Sequence, residues 1–266
     1  MRLLSVDTET TSADPATARI VEISAVLAEV LDEGPPMRWQ TLETVSQLCR
    51  LAPGETVGDS VEIHGLTDAH LEEFGQPLPD VLVQVGDMVA RRRPDFLIGH
   101  NLATYDLPVL RGAVSRMSGS ADERTRPLFD LPVIDTRDDI RYPARTTCRK
   151  LAHLCAEHGF LVEGAHRAMA DALATLRLAG CYRLSELIER AKSPTRRVQA
   201  VYPFDRAINE VAKRLGFHFE EVPVKGWWQD VKDCDSEYLN ERWAAEKRRW
   251  RDQTGADLPM QFRKAA

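Results

Sequence analysis

The chain has no long hydrophobic segment. No stretch of its sequence approaches the roughly 18 consecutive apolar residues of a membrane-spanning helix. The residues before Asp7 do not form the basic and apolar leader of a secreted protein. We therefore expect a cytoplasmic protein that has no membrane partner.

Cysteine is also scarce. The chain has 5 cysteines, an odd number, and no two of them form a CxxC pair. This usage is typical of reduced thiols and argues against a zinc ribbon. Four of the cysteines lie in apolar runs and are predicted to be core residues, namely Cys49, Cys148, Cys155 and Cys181.

Positive charge is not in excess. The chain has 35 lysines and arginines against 41 acidic residues, which gives a net charge of −6. It therefore lacks the surplus of basic residues that is expected of a high-affinity nucleic-acid binder. Basic residues still cluster locally, and the largest cluster comprises Arg137, Arg141, Arg145, Arg149 and Lys150. Two interpretations stay open for this cluster: a solvated surface, or a groove that follows a phosphate backbone.

Two acidic residues follow the first apolar run of the chain. Residues 3–6 are apolar apart from one serine and predict a buried strand, and Asp7 and Glu9 stand at its end in VDTETT. Alternate side chains of a strand point the same way, so the two carboxylates share a face. Like charges held that close repel unless a cation lies between them, and the pair therefore indicates a metal site.

A third acidic residue, Asp106, follows a second predicted strand. Residues 96–99 are apolar, and the apolar spacing from Asp106 to Met117 predicts a helix that begins at this aspartate. A carboxylate at a helix N-terminus can reach a cation, although most isolated aspartates in such positions only cap the helix.

The last candidate pair is His166 and Asp171, in HRAMAD. Helix-forming residues follow over 165–187. Five residues correspond to roughly 140° around a helix, so the two side chains can flank one site only if His166 lies in the first turn or the preceding loop. An exposed histidine there suits a general base, whereas a histidine taken alone is more often an ordinary surface residue.

Four carboxylates and one imidazole, brought to one place, can bind two divalent cations and deprotonate a water molecule. This is the equipment for hydrolysis of a phosphodiester bond. Because all of the ligands are oxygens, Mg²⁺ or Mn²⁺ fits the site better than zinc does.

The order of these motifs resembles a known family. VDTETT, ARIVEISAV at Ala18–Val26, IHGLTD at Ile63–Asp68, HNLATYD, and a histidine followed five residues later by aspartate resemble the DEDDh family of 3′-to-5′ exonucleases. Within that family the chain is similar to the epsilon proofreading subunit of bacterial DNA polymerase III. The resemblance covers about residues 1–190.

The resemblance implies roles for the five catalytic candidates. Asp7, Glu9 and Asp171 would hold a first ion, with Asp7 also touching a second. Asp106 would support the second ion, and His166 would take a proton from the attacking water. Such an enzyme releases nucleoside 5′-monophosphates from a 3′ end.

The resemblance also indicates a substrate-binding set. The loop formed by Ile63, His64, Gly65 and Leu66 is similar to one that packs against the terminal base in relatives, and Thr10 and Thr11 would bond the terminal sugar or phosphate. Asn101, from HNLATYD, is placed in the same set. For His64, a loop histidine bonded to backbone is an equally good interpretation.

The pattern of elements predicts an α/β fold. Strands are expected over 2–7, 20–30 and 37–51, followed by helices and strands in alternation, among them a long helix over 166–188. This order fits the ribonuclease H-like fold of the family, a mixed five-stranded sheet flanked by helices. We expect this domain to span residues 1–190.

The composition changes near Lys192. We predict a linker over 191–197 and a small α+β accessory module over 198–266. In this module Lys225, Trp227 and Trp228 either stack on single-stranded nucleic acid or form the core of the module, and the small number of large apolar residues favours the core.

Taken together, the sequence predicts a two-metal exonuclease that acts on DNA. Nothing in the motifs distinguishes deoxyribose from ribose, so an RNA-trimming enzyme is an alternative. A non-catalytic partner of a nucleic-acid end or of a polymerase is a second alternative, although mere binding does not need five clustered titratable groups. A polymerase partner, if one exists, is a separate protein chain.

Overall fold

The computed structural model describes residues 1–117, 120–143, 146, 148–203, 205–221 and 225–264. The chain divides into two compact units, Met1–Ala191 and Lys192–Ala266, which we call the catalytic unit and the C-terminal unit. No helix in the described ranges combines the length and the apolar character needed to cross a membrane.

A six-stranded mixed sheet forms the centre of the catalytic unit. Its strands are β1 (Arg2–Thr10), β2 (Ile20–Asp32), β3 (Arg38–Arg50), β4 (Gln76–Pro77), β5 (Phe96–Gly99) and β6 (Val133–Asp135). They lie in the order β4-β3-β2-β1-β5-β6. The first three strands form an antiparallel meander, whereas β5 runs parallel to β1 and β6 runs parallel to β5.

This sheet has six strands, one more than the five that the sequence predicted. The extra strand is β4, a two-residue edge strand that pairs with Cys49 and Arg50 of β3. Two residues are too few to give a periodic pattern, and a proline suits an edge because it has no amide hydrogen to donate. The mixed α/β fold with flanking helices is confirmed.

Helices cover both faces of this sheet. They are α1 (Val61–His64), α2 (Asp68–Phe74), α3 (Leu78–Arg92), α4 (Asp106–Ser115), α5 (Ser120–Thr125), α6 (Leu151–Glu157), α7 (Ala168–Ala179) and α8 (Leu184–Lys192). Leu4 and Val6 of β1 share one apolar core with α3 and α4. Leu3 points to the other face and shares a second core with α6, α7 and α8.

The long helix predicted over 166–188 is two helices. The break lies at Gly180. Its carbonyl oxygen accepts a hydrogen bond of 2.8 Å from the backbone amide of Met37, the last residue of the β2–β3 connection. That long-range bond has no signal in the local sequence. Among the cysteines predicted to be core residues, Cys49 and Cys155 are buried, while Cys148 and Cys181 are only partly buried.

The C-terminal unit has its own sheet and core. Its elements are β7 (Thr195–Val201), α9 (Arg206–Leu215), β8 (His218–Glu220), β9 (Gly226–Lys232), α10 (Ser236–Thr254) and β10 (Gln261–Lys264). The strands lie in the antiparallel order β10-β7-β9-β8. Trp227 packs partly buried against the apolar core of this unit, and Trp228 is buried.

The predicted linker over 191–197 is wrong at both ends. Lys192 completes α8, and residues 195–197 form the start of β7, where they pair with Lys232, Val231 and Asp230 of β9. Their polar side chains indicate a linker, but the main-chain hydrogen bonds of a strand do not depend on side-chain polarity. The C-terminal sheet therefore begins at Thr195, three residues before the predicted start of the module at 198.

Candidate active site

Three of the predicted carboxylates converge at the carboxyl end of β1. Asp7 and Glu9 lie on this strand, and Asp171 lies in the first turn of α7. One oxygen from each of the three carboxylates lies within 4.8 Å of the others. The helix is fixed against the strand by a hydrogen bond of 2.8 Å from the Ser5 hydroxyl to the carbonyl of Ala172.

Asp106 lies close by but makes a different set of contacts. It begins α4, is buried, and its Oδ1 accepts hydrogen bonds from the amide and the hydroxyl of Thr8, at 3.0 Å and 2.6 Å. Thr8 stands between Asp7 and Glu9, so Asp106 fixes the strand that carries the other two carboxylates. Within the described residues, Asp106 is not part of the three-oxygen group.

Burial and mutual repulsion raise the proton affinity of the cluster. Burial raises the pKa of Glu9 to about 8, and the charges of Asp171 and Glu22 add to this rise. Burial raises the pKa of Asp7 well above its ordinary value, with Asp106 as the largest neighbouring charge. Burial also raises the pKa of Asp106 to about 7, although the hydrogen bonds from Thr8 oppose the rise.

The donor set fits hard divalent cations. Oxygen ligands are those that Mg²⁺ and Mn²⁺ prefer, and carboxylates with raised pKa values gain most when a cation offsets their charge. Asp7, Glu9 and Asp171 therefore form a good cation site, and Asp106 lies beside it with one carboxylate oxygen occupied by Thr8.

His166 lies in the loop before α7, two residues ahead of the first helical residue. Its backbone has a left-handed conformation, with φ at 63°. Its amide donates to Oδ2 of Asp171 at 3.2 Å, and its side chain is exposed. The imidazole therefore stands on a fixed backbone beside the carboxylates and faces the solvent from which a water molecule would come.

Glu22 is the residue that sequence reasoning missed. It pairs with Glu9 across β1 and β2, and its buried carboxylate binds the guanidinium of Arg167 at 3.0 Å and 2.8 Å and the amide of Ala168 at 3.1 Å. Glu22 thus holds the start of α7, the helix that carries Asp171. A lone acidic residue within the apolar strand IVEISAV was the only signal for it.

The two threonines predicted to bind substrate have internal partners. The hydroxyl of Thr10 bonds to the carbonyl of Ser12 at 3.0 Å and to the hydroxyl of Tyr105. The hydroxyl of Thr11 accepts the amide of Arg19 at 3.1 Å, and Thr11 lies outside the cleft lining. These bonds shape the loop that follows β1.

The predicted loop at Ile63–Leu66 contributes unequally. Ile63 and His64 line the cleft, and Ile63 is exposed. His64 is buried, its Nδ1 accepts the amide of Leu66 at 3.1 Å, and burial lowers its pKa. Gly65 adopts φ of 72° where α1 ends, and Leu66 packs into a separate apolar cluster. Only the first two residues are placed to touch a ligand in the cleft.

Asn101 lines the cleft at the end of β5. Its side-chain oxygen accepts hydrogen bonds from the hydroxyl of Thr104 at 2.6 Å and from the guanidinium of Arg137. Asp135, at the end of β6, accepts the amides of Asn101 and Ala103 at 2.8 Å and 3.0 Å. The loops after these two parallel strands are therefore tied together.

The four carboxylates, His166, Ile63, His64 and Asn101 line one cleft of about 700 Å³. It lies where β1, β5 and β6 end, because parallel strands bring their carboxyl ends to the same edge of a sheet. Its polar lining includes the four carboxylates, His64, His100, His166, Asn101, Arg137, Arg149 and Lys150.

The fold occurs in solved nuclease structures. E. coli exonuclease I in complex with a dT13 oligonucleotide matches with a TM-score of 0.61 and 15% identity, over 94% of this chain and 71% of that chain. A complex described as ExoI/SSB-Ct matches with a TM-score of 0.57 and 15% identity, over 99% and 63% of the two chains. A 3′-exonuclease that recognises the histone mRNA stem-loop matches with a TM-score of 0.50 and 16% identity, over 67% and 62%.

The family is established by sequence. No curated protein sequence is significantly similar to this chain. The model of the RNase_T family, described as exonuclease, matches residues 4–179, which contain every side chain of the cleft. The chain therefore belongs to the RNase_T family of exonucleases, hydrolases that act on nucleic acids.

Proposed function

We propose that the chain is a metal-dependent 3′-to-5′ exonuclease that removes nucleoside 5′-monophosphates from DNA. The observation that carries this proposal is the convergence of ligand oxygens of Asp7, Glu9 and Asp171 within 4.8 Å of one another, in a cleft of about 700 Å³. Burial raises the pKa values of all three carboxylates, and repulsion from neighbouring carboxylates adds to each rise, so a cation would stabilise their charged forms there.

The cofactor in this proposal is a pair of Mg²⁺ or Mn²⁺ ions. When bound, such ions offset the negative charge of the phosphate and of the leaving oxygen. Asp7, Glu9 and Asp171 would hold the first ion. Asp7 and Asp106 would face the second, with the Thr8 bond keeping Asp106 in one rotamer.

His166 is the general base in this proposal. Its exposed imidazole can take a proton from a water molecule. The hydrogen bond from its backbone amide to the carboxylate of Asp171 holds the residue next to the carboxylates. Ile63 and His64 would contact the terminal nucleotide, because both line the cleft. Thr10 and Thr11 would act indirectly, through the loop that their hydroxyls hold in place.

DNA is the proposed substrate, and RNA is the alternative. The exonuclease I match, whose structure holds a DNA oligonucleotide, extends over 94% of the chain and so beyond the catalytic unit. The match to the exonuclease of the histone mRNA stem-loop covers 67%. A closer relation to the epsilon subunit, a separate polymerase partner and a cytoplasmic location stay predictions.

A digestion experiment tests the proposal. DNA and RNA oligonucleotides of one sequence, labelled at the 5′ end, are incubated with Mg²⁺, with Mn²⁺ or with a chelator. We expect a ladder of shortened labelled DNA with either ion and none with the chelator. With a 3′ label, the first labelled product is a mononucleotide, which establishes direction.

Two carboxylate variants complete this experiment. Asp7→Asn keeps the shape of the residue but removes its charge, and we expect activity to fall by about 100-fold or more. The matched control is Asp80→Asn, which changes an exposed carboxylate on α3 and should leave activity intact. A ladder of equal intensity from Asp7→Asn would refute the proposed site, and no ladder from the unmodified protein would favour a binding role.

A further inference from the structure

Three basic side chains line the same cleft as the carboxylates. They are Arg137, Arg149 and Lys150, and we call them the basic rim. They belong to the basic cluster seen in the sequence, of which Arg141 is outside the cleft lining and Arg145 is outside the described residues. We propose that the basic rim binds backbone phosphates of the nucleic-acid strand whose 3′ end occupies the carboxylate cluster. This inference rests on the proposed function.

Arg137 is held in place without neutralisation of its charge. Its guanidinium donates to the neutral amide oxygen of Asn101, and its own amide donates to the carboxylate of Asp135 at 3.0 Å. Among the described residues, no carboxylate forms an ion pair with this guanidinium. A partly buried guanidinium that has only a neutral partner gains from an incoming anion, and a phosphate oxygen is such an anion.

Arg149 is held through both its backbone and its guanidinium, which also lies 5.6 Å from the centre of the Tyr142 ring. Its carbonyl accepts a hydrogen bond of 2.7 Å from Nε2 of His100, and its guanidinium donates to the carbonyl of Arg137 at 2.9 Å. Its ion pair with Asp138 is long, at 3.4 Å, and 49% of the side chain is exposed. The guanidinium can therefore exchange a weak partner for a phosphate at little cost.

Lys150 completes the rim. It is exposed, and none of the described carboxylates lies within ion-pairing distance of its ammonium group. His100 is a partly buried support of the rim: its Nε2 donates to the carbonyl of Arg149 at 2.7 Å, its Nδ1 bonds to the hydroxyl of Thr136 at 2.9 Å, and burial lowers its pKa. The rim thus offers three positive charges, and at most one of them has an acidic partner.

The position of the rim fits a continuous strand better than a mononucleotide. The carboxylate cluster would take the terminal phosphodiester, and the rest of the strand must leave the cleft past other lining residues. Backbone phosphates are spaced regularly along that strand, and fixed cations beside a cleft follow them without reading sequence. The basic rim would then compensate locally for the net charge of −6.

The test compares two substrates of different length. Lys150→Gln is the main variant, because it removes the charge of a side chain that makes no hydrogen bond or ion pair among the described residues, and Arg149→Gln is the second. Arg183→Gln is the matched control, since it removes an exposed positive charge of the catalytic unit outside the cleft lining. Each is assayed on a 15-nucleotide DNA strand and on the p-nitrophenyl ester of thymidine 5′-monophosphate.

We expect an effect on the long substrate only. For each rim variant, KM for the oligonucleotide should rise about three- to tenfold, and the slope of log(kcat/KM) against log[salt] should fall by about 0.7. The kcat for the oligonucleotide and the hydrolysis of the mononucleotide ester should stay within about twofold, because the ester has no upstream phosphates. Arg183→Gln should change neither substrate.

Binding measured without hydrolysis separates this inference from the proposed function. Fluorescence anisotropy of the labelled oligonucleotide in chelator should show the same loss of affinity and the same smaller salt slope in the rim variants. If the protein does not hydrolyse the strand but binds it, and the rim variants bind it more weakly than Arg183→Gln does, the proposed hydrolysis fails while phosphate binding by the rim is supported. If rim variants bind like Arg183→Gln, if the ester is affected as strongly as the oligonucleotide, or if the unmodified protein does not bind, the inference is overturned.

Discussion

At the scale of single residues, the main feature is a set of carboxylates that hold protons more tightly than usual. Burial raises the pKa of Glu9 to about 8 and that of Asp106 to about 7, and it raises the pKa of Asp7 as well. A raised pKa means that the folded protein binds these protons more tightly than the unfolded chain does. Protons and divalent cations therefore compete for the same oxygens.

This competition predicts how stability depends on pH. The stability that these groups contribute to the metal-free protein is fully present below their unfolded pKa values and is lost as the pH rises through about 8, the folded value of Glu9. In chelator, Tm should therefore fall by about 3 °C or more between pH 6 and pH 8.5. Saturating Mg²⁺ should raise Tm more at pH 8.5 than at pH 6, as measured by calorimetry.

Two results would contradict this prediction. One is a Mg²⁺-induced shift of Tm that is equal at both pH values. The other is a full shift in Asp7→Asn, which lacks one carboxylate of the group that converges within 4.8 Å.

A second residue-scale prediction concerns Glu22, which binds both Arg167 and the amide of Ala168. Glu22→Gln removes the buried charge but keeps the size of the side chain. We expect a loss of about 1–2 kcal/mol in the free energy of unfolding, since Arg167 is half exposed and can turn to water. Because the start of α7 carries the site, kcat should fall about tenfold, with a smaller change in KM.

The control for Glu22 lies on the same strand. Glu29→Gln changes a more exposed carboxylate of β2, which bonds to Gln40 at 2.9 Å. Urea unfolding and steady-state kinetics of the two variants give the comparison. Equal behaviour of Glu22→Gln and Glu29→Gln would show that the bond to α7 does not matter to the site.

At the scale of elements, two helical glycines lie in opposite surroundings. A Cβ atom on Gly86 of α3 would lie 2.2 Å from the carbonyl oxygen of Arg124 in α5, so the two backbones are in close contact. A Cβ atom on Gly112 of α4 would meet only the end of the Arg116 side chain, at 3.4 Å. Close packing thus requires glycine in α3 but not in α4.

The two alanine variants should therefore have opposite effects. Gly112→Ala should stabilise the protein by about 0.5–1 kcal/mol, because alanine has the better helix propensity. Gly86→Ala has the same gain in helix propensity but must push α5 away from α3. We therefore expect it to lower the free energy of unfolding by about 1–3 kcal/mol. Urea unfolding measures both, and stabilisation by Gly86→Ala would show that this contact can relax.

At the scale of the whole molecule, the chain consists of two units that each have a core. All residues that line the cleft belong to Met1–Ala191, and the core of the C-terminal unit is formed by residues from 198–262. A unit that has its own core can fold by itself. The carboxylates that converge in the cleft need no residue of the C-terminal unit to come together.

Truncation tests this independence. A fragment of residues 1–191 should unfold in one cooperative transition and should hydrolyse the p-nitrophenyl ester of thymidine 5′-monophosphate within about threefold of the full chain. Asp7→Asn in the same fragment is the control for contaminating activity. A fragment without a cooperative transition would contradict the division at Ala191.

The sequence predicted the main strands and helices because their apolar patterns are long and regular. It failed where an element depends on distant contacts: the two-residue β4, the break at Gly180, and the start of β7 at Thr195. In the site, the five catalytic candidates were visible as acidic residues after apolar runs or at helix starts and as a histidine before a helix. Substrate binding by Thr10 and Asn101 stays a prediction, and the sequence did not indicate that their side chains also bond to Tyr105 and Arg137.

By itself, the sequence determined which residues are the candidates for the chemistry, because acidic groups after buried strands and a histidine before a helix are local patterns. Only the tertiary structure decided what those residues bond to. Glu22 and Arg167 are 145 positions apart, and Thr8 and Asp106 are 98 apart. Such pairs form only when the sheet brings strand ends and helix starts to one edge. A buried charge without a partner there would be unfavourable, and the buried carboxylates of Glu22 and Asp106 are both hydrogen-bonded.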